Sequence, residues 1–176
     1  MSFVLLSIDI IKSEPMLVDV CTNSFSRTKY FSTFLREDRK KNTKQHSTKK
    51  MFLSHTWKAD CLGRNTHRRV ASIHRALVEV GQFVWFDEDV GMSHDIDGCM
   101  AEGIERCDVF VVFITRAYCE KVERAARDPL CQDNCYKEFS YASCCNKAFL
   151  PVVFEPTILL ESWPQGIVKM HCGNKM

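Results

Sequence analysis

Three polar stretches hold most of the residues able to do chemistry. They are Ser54-His55-Thr56-Trp57, the acidic run Asp87-Glu88-Asp89 with Gly91, Met92, Ser93 and His94 behind it, and Asp133-Asn134-Cys135-Tyr136-Lys137-Glu138. The first two each follow an apolar run, and the third opens a helix signature. A glutamate in the first turns of a helix is favoured by the macrodipole and by solvent alone. Glu138 becomes a catalytic candidate only where other groups converge on it, because a carboxylate speeds a reaction by being held against charge that develops in the transition state. The acidic run reads first as a solvated turn, and His55 first as a hydrogen-bonded loop residue.

Apolar patterning says what must position these groups. Residues 51–53 form a short strand, and a polar loop over 58–65 leads to a helix whose apolar residues Val70, Ile73, Leu77 and Val80 recur at helical spacing. Gly81 follows in the position that ends a helix. Residues 83–86 make a second strand, and a helix over about 95–106 carries Ile96, Met100 and Ile104 on one face. Six apolar residues in a row, 109–114, mark a strand covered on both sides. A long polar connection, 116–134, ends at Asp133 and Asn134, either of which can cap the next helix. That helix turns Cys135, Phe139 and Ala142 inward. Residues 149–154 form the fourth strand, and Pro151 assigns it to the neighbourhood of a sheet edge.

Strands and helices alternate, so the expected fold class is α/β, a three-layer sandwich on a parallel sheet with right-handed crossovers. In open sheets of this kind a ligand sits beyond the carboxyl ends of the strands, where strand order reverses. With strand one between strands two and three, the crevice is bounded by residues 54–57, Asp87 and Thr115. The helix carrying Glu138 opens on the same side. The convergence depends on that strand order.

Charge is unevenly spread. The chain has 24 Lys and Arg against 22 Asp and Glu, yet residues 27–50 hold nine basic and two acidic residues, while 51–176 hold 14 and 17. A stretch so polar cannot bury enough apolar surface to offset its ordering. Residues 1–50 are therefore expected to be a disordered basic segment, read as a solvated linker with no specific nucleic-acid partner, and 51–176 to be the domain. Residues 3–11 are apolar but follow no positive charge, are interrupted by Asp9 and lack a cleavage site, so no signal peptide is read. No window has the length of a membrane span.

Ten cysteines, several inside predicted helices, suit a reducing, cytoplasmic setting in which most serve as small core hydrophobes. Cys131, Cys135, Cys144 and Cys145 lack the spacing of a zinc finger or ribbon, and no metal site or resident cofactor is expected. No G-x-G-x-x-G follows a strand, which speaks against a Rossmann redox enzyme. Thr115 ends strand three where a phosphoacceptor receiver needs an acidic residue.

M-F-L-S-H-T-W, F-V-W-F-D-E-D with the following M-S-H-D-I, D-V-F-V-V-F-I-T, N-C-Y-K-E-F and F-L-P-V-V resemble, in order and spacing, the boxes of the Toll/interleukin-1 receptor (TIR) domain. The resemblance covers residues 51–155 and is greatest to stand-alone TIR proteins of protists and simple animals. It implies a flavodoxin-like fold with sheet order 2-1-3-4-5. It also implies one of two functions: an adaptor assembling through contacts with other TIR domains, or an enzyme that cleaves the nicotinamide bond of NAD. In such enzymes a glutamate lies within a W-C-x-x-E-L-like motif; here Cys135 and Glu138 match, Asn134 replaces the tryptophan and Phe139 the leucine. The resemblance implies Glu138 as the catalytic residue and NAD as substrate. Ser54, His55, Trp57 and Asp87 would line its site, and the loop around Met92 would close over it. On the adaptor reading, residues 87–94 dock onto another TIR domain. Self-association is implied either way, because the family's enzymes complete their pocket across neighbours.

Two departures stand out. His94 occupies a position where relatives often have glycine, and Gly91 is left to absorb the turn. Relatives continue into a fifth strand and a long closing helix, whereas this chain stops at G-I-V-K-M-H-C-G-N-K-M, so an open sheet edge and an uncovered face are expected.

Overall fold

A computed structural model describes residues 49–90, 95–158 and 163–173. Strands β1 (Lys50–Ser54), β2 (Phe83–Trp85), β3 (Val109–Ile114) and β4 (Ala148–Val153) form one sheet in the order β2-β1-β3-β4. Every neighbouring pair is parallel. The expected basic segment lies outside the described residues up to position 48; Lys50, at its end, is the first residue of β1.

Helices α1 (Thr66–Glu79), α2 (Ile96–Arg106), α3 (Arg116–Arg127) and α4 (Asn134–Cys144) alternate with the strands, and a short α5 (Ile167–Cys172) follows β4. The predicted stripe of α1 is buried at Val70 and Ile73, but Val80 is the exposed helix cap, with Gly81 at φ +80° reversing the chain after it. Met100 and Ile104 of α2 are buried as expected, whereas Ile96 is exposed.

Residues 116–127 correct the sequence reading, which made them part of a polar connection. They are helix α3, capped by the Thr115 hydroxyl accepting the Tyr118 N–H at 3.1 Å. Tyr118, Cys119, Val122 and Ala125 are buried at helical spacing. One apolar stripe among six charged residues is thin as composition and sufficient as a face.

One row of aromatic rings crosses the sheet. Trp85 stacks on Phe52 at 4.2 Å, Phe52 on Phe110 at 5.4 Å, and Phe110 meets Phe149 at 5.0 Å, matching the cross-strand register. Phe139 of α4 closes onto Phe149 at 5.2 Å. Side chains alternate along a strand, so Ser54, two residues beyond Phe52, shares the face on which α4 packs. On the opposite face Phe113 packs edge-on against Phe154, over which the Arg69 guanidinium of α1 lies at 4.0 Å.

Pro151 sits in β4, the edge strand, where a missing N–H is tolerated. No fifth strand occurs among the described residues. The closing face is not left bare, however: α5 buries Val168 and Cys172 and sets the His171 ring 4.3 Å from Phe149. Glu123 of α3 tethers α5 by accepting the Ile167 N–H at 3.0 Å.

Candidate functional site

The strand alternation that turns Ser54 toward α4 brings it to Glu138. Ser54 Oγ donates to Glu138 Oε2 at 2.6 Å. Its single proton is thereby used, so its 2.9 Å contact with Tyr118 Oη makes the tyrosine the donor. Tyr118 is fully buried, and that burial holds its pKa well above the usual phenol value, which keeps the donor protonated. The relay runs Tyr118 to Ser54 to Glu138, joining α3, β1 and α4.

Asp133, buried, caps α4 by accepting the Cys135 N–H at 2.9 Å, which sets Glu138 at the helix's fifth residue, one turn in. Glu138 is half-buried, with one edge open to a cavity of about 290 Å³ lined by His55, Trp57, Lys121, Asp133, Cys135 and Glu138 itself. Packing around its carboxyl pushes the pKa up to about 8. Burial dominates that shift; the Ser54 hydrogen bond opposes it, Asp87 and Asp133 add to it, and Lys121 partly offsets it. The Cys135 thiol is driven up still further by burial, and it donates to the His55 carbonyl at 3.4 Å. It is therefore poorly suited to act as a nucleophile.

The far wall is aromatic. Trp57, 63% exposed, lies over His67 at 3.9 Å and donates its indole N–H to Asp87 Oδ2 at 2.8 Å. His55 is buried, and burial lowers its pKa even though Asp87 pulls the other way. His55 Nε2 faces His67 Nδ1 at 2.7 Å, and His67 Nε2 faces Glu88 Oε1 at 2.7 Å. Glu88, read from sequence as part of a solvated turn, is thus engaged with α1.

Of the residues singled out in the sequence, His55, Trp57 and Glu138 line one cavity, with Ser54 hydrogen-bonded to Glu138 and Asp87 hydrogen-bonded to Trp57. Asp89 falls in a 3-10 turn, Asp87–Val90. Met92, Gly91, Ser93 and His94 lie outside the described residues. Thr115, expected to bound the crevice, is a buried helix cap. Sequence reasoning missed Tyr118, His67 and Lys121. Tyr118 was within reach had Thr115 been read as a cap; His67, in T-H-R-R, carries no local signal.

A second cavity, about 180 Å³, opens at the amino end of β1 between Lys50, Phe83, Trp85, Glu102 and Arg106. It shares no residue with the Glu138 cavity.

The family model of the TIR domain matches residues 51–172, a span that takes in all of the sheet but its first residue, Lys50, every residue of the Glu138 cavity and the end of α5. The chain belongs to the TIR domain family. Its sheet order and three layers are those of the flavodoxin-like TIR fold, and membership carries a signalling role in which TIR domains bind one another. No curated protein and no solved structure matches the chain. No helix among the described residues of this TIR domain is long and apolar enough to cross a membrane.

Proposed function

We propose that this TIR domain hydrolyses NAD to nicotinamide and ADP-ribose, with Glu138 as the catalytic carboxylate. The observation that carries the reading is the Glu138 carboxyl itself. It borders a cavity at the carboxyl end of β1, is gripped by Ser54 at 2.6 Å, and faces an indole across the opening.

Breaking an N-glycosidic bond passes through an oxocarbenium-like ribosyl cation, and nicotinamide departs as a neutral molecule. One carboxylate can then suffice where glycosidases need two. Ser54 holds one oxygen of Glu138, and the other would meet the ribosyl cation. Trp57 offers an aromatic face for the nicotinamide, and water would complete the reaction at the cation. A carboxyl with a pKa of about 8 is largely protonated at neutral pH, but the substrate brings a pyridinium charge that favours the ionised form. The raised pKa thus concentrates the electrostatic gain where the positive charge arrives. A cavity of about 290 Å³ is near the lower end of small-ligand sites, roughly 300–1,000 Å³, and suits the nicotinamide ribose end of the dinucleotide.

The test is nicotinamide release from NAD by the purified chain, compared with Glu138→Ala and Glu138→Gln. Activity in the wild type that both variants lose supports the reading. Equal, negligible release in an assembled sample would leave the second one.

That second reading is a non-enzymatic adaptor. It is favoured by the other sheet edge, where β2 is unpaired on one side among the described residues and Phe83, Val78 and Val80 are all at least half exposed. The acidic run from Asp87 lies just beyond the same strand and would dock another TIR domain. Cytoplasmic residence accords with both readings.

A further inference from the structure

We propose that His55, His67 and Asp87 form a binding site for one divalent cation of the zinc class, beside the Glu138 cavity and independent of whether that cavity cleaves NAD. The ligand atoms of the three side chains lie within 4.8 Å of one another. Two imidazole nitrogens and a carboxylate oxygen make a three-ligand zinc set, with a fourth position left for water. His55 and His67 are buried, and Asp87 Oδ1 is a buried oxygen without a hydrogen-bond partner.

The hydrogen bonds around the two rings fit such a site. His55 Nε2 and His67 Nδ1 face each other at 2.7 Å, and His67 Nε2 faces the Glu88 carboxylate at 2.7 Å. With His67 donating its Nε2–H to Glu88, its Nδ1 lone pair points at His55 Nε2, and a metal ion takes the place of the one proton between those two nitrogens.

A metal ion satisfies the same geometry with the Asp87 carboxylate as third ligand. At zinc–nitrogen distances of about 2.0–2.1 Å, tetrahedral nitrogens lie roughly 3.3 Å apart, so the rings need part only slightly. The outer partners are already those of a metal site. Metal-bound histidines almost always donate their second N–H to a carboxylate or a backbone carbonyl, as His67 does here to Glu88. Trp57 likewise steadies Asp87 through its indole N–H. An ion there would tie the loop after β1 to α1 and to the turn after β2.

The experiment titrates Co²⁺ into the reduced, chelator-stripped full chain and follows visible absorption, then displaces the cobalt with Zn²⁺. One equivalent should give the d–d bands of a tetrahedral nitrogen and oxygen site, with no thiolate-to-cobalt band in the near ultraviolet. His67→Gln and Asp87→Asn should each weaken cobalt binding by at least about tenfold. Circular dichroism checks that each variant is folded, and if His67→Gln is not, Asp87→Asn decides. No visible band, a thiolate band from the cysteines, or unchanged affinity in the folded variants would overturn the proposal.

Discussion

Ser54 Oγ and Glu138 Oε2, 84 positions apart in the chain, lie 2.6 Å from each other where β1 ends and α4 begins. The contact joins the sheet to the helix that carries the candidate catalytic carboxyl, and it sits between a buried tyrosine donor and a cavity. Removing either partner therefore disturbs both the fold and the site.

Ser54→Ala removes the proton that Glu138 receives and the acceptor that Tyr118 uses. A buried hydroxyl left unpaired costs about 1–3 kcal/mol, and chemical denaturation should show a loss in that range. Because the Ser54 bond lowers the Glu138 pKa, its removal should also move any pH–activity profile to higher pH. A variant as stable as the wild type would contradict the relay.

Glu138 makes stability depend on pH in a defined direction. Its folded pKa, about 8, stands above its ordinary value near 4.5, so the folded state holds the proton more tightly than the unfolded chain. The group's contribution is full below about pH 4.5 and is lost as pH rises to about 8. Glu138→Gln, which mimics the neutral carboxyl, should match the wild type in Tm near pH 4.5 and exceed it increasingly toward pH 8. Parallel Tm curves would refute the raised pKa.

If the ionised carboxylate does the work, kcat/KM for NAD should climb with pH and level off above about 8, since that ratio reports the free enzyme. The profile of kcat reports the bound complex, where the pyridinium is present, and should level off at lower pH. Steady-state kinetics between pH 5 and 9 separates the two; coincident profiles would remove the role given to the substrate's charge.

Gly103 faces the Trp85 indole so closely that an added Cβ would lie 2.7 Å from the ring. Trp85 is itself stacked on Phe52 at 4.2 Å and has little room to retreat. Gly103→Ala gains up to about 1 kcal/mol in helix propensity, against about 1–3 kcal/mol for overpacking. The expected net result is a loss of about 1–2 kcal/mol with altered tryptophan fluorescence. A stabilised variant would mean that the ring yields freely.

Apolar periodicity was enough to place four strands and three of the five helices, because the drive to bury one face acts on residues close in sequence and leaves a local pattern. Helix α3 escaped it, since a single stripe of Tyr118, Cys119, Val122 and Ala125 is diluted by arginine, lysine and glutamate between them. The parallel order and the side on which Glu138 opens were also legible, the order through the family boxes and the side through the direction in which α4 leaves the sheet. The partners of Glu138 were not. That Ser54 grips it, that Tyr118 stands behind Ser54, and that His67 bridges His55 and Glu88 are settled by strand register and helix docking. Those are sums of many weak packing contacts between segments far apart in the chain, and no local window of residues contains them.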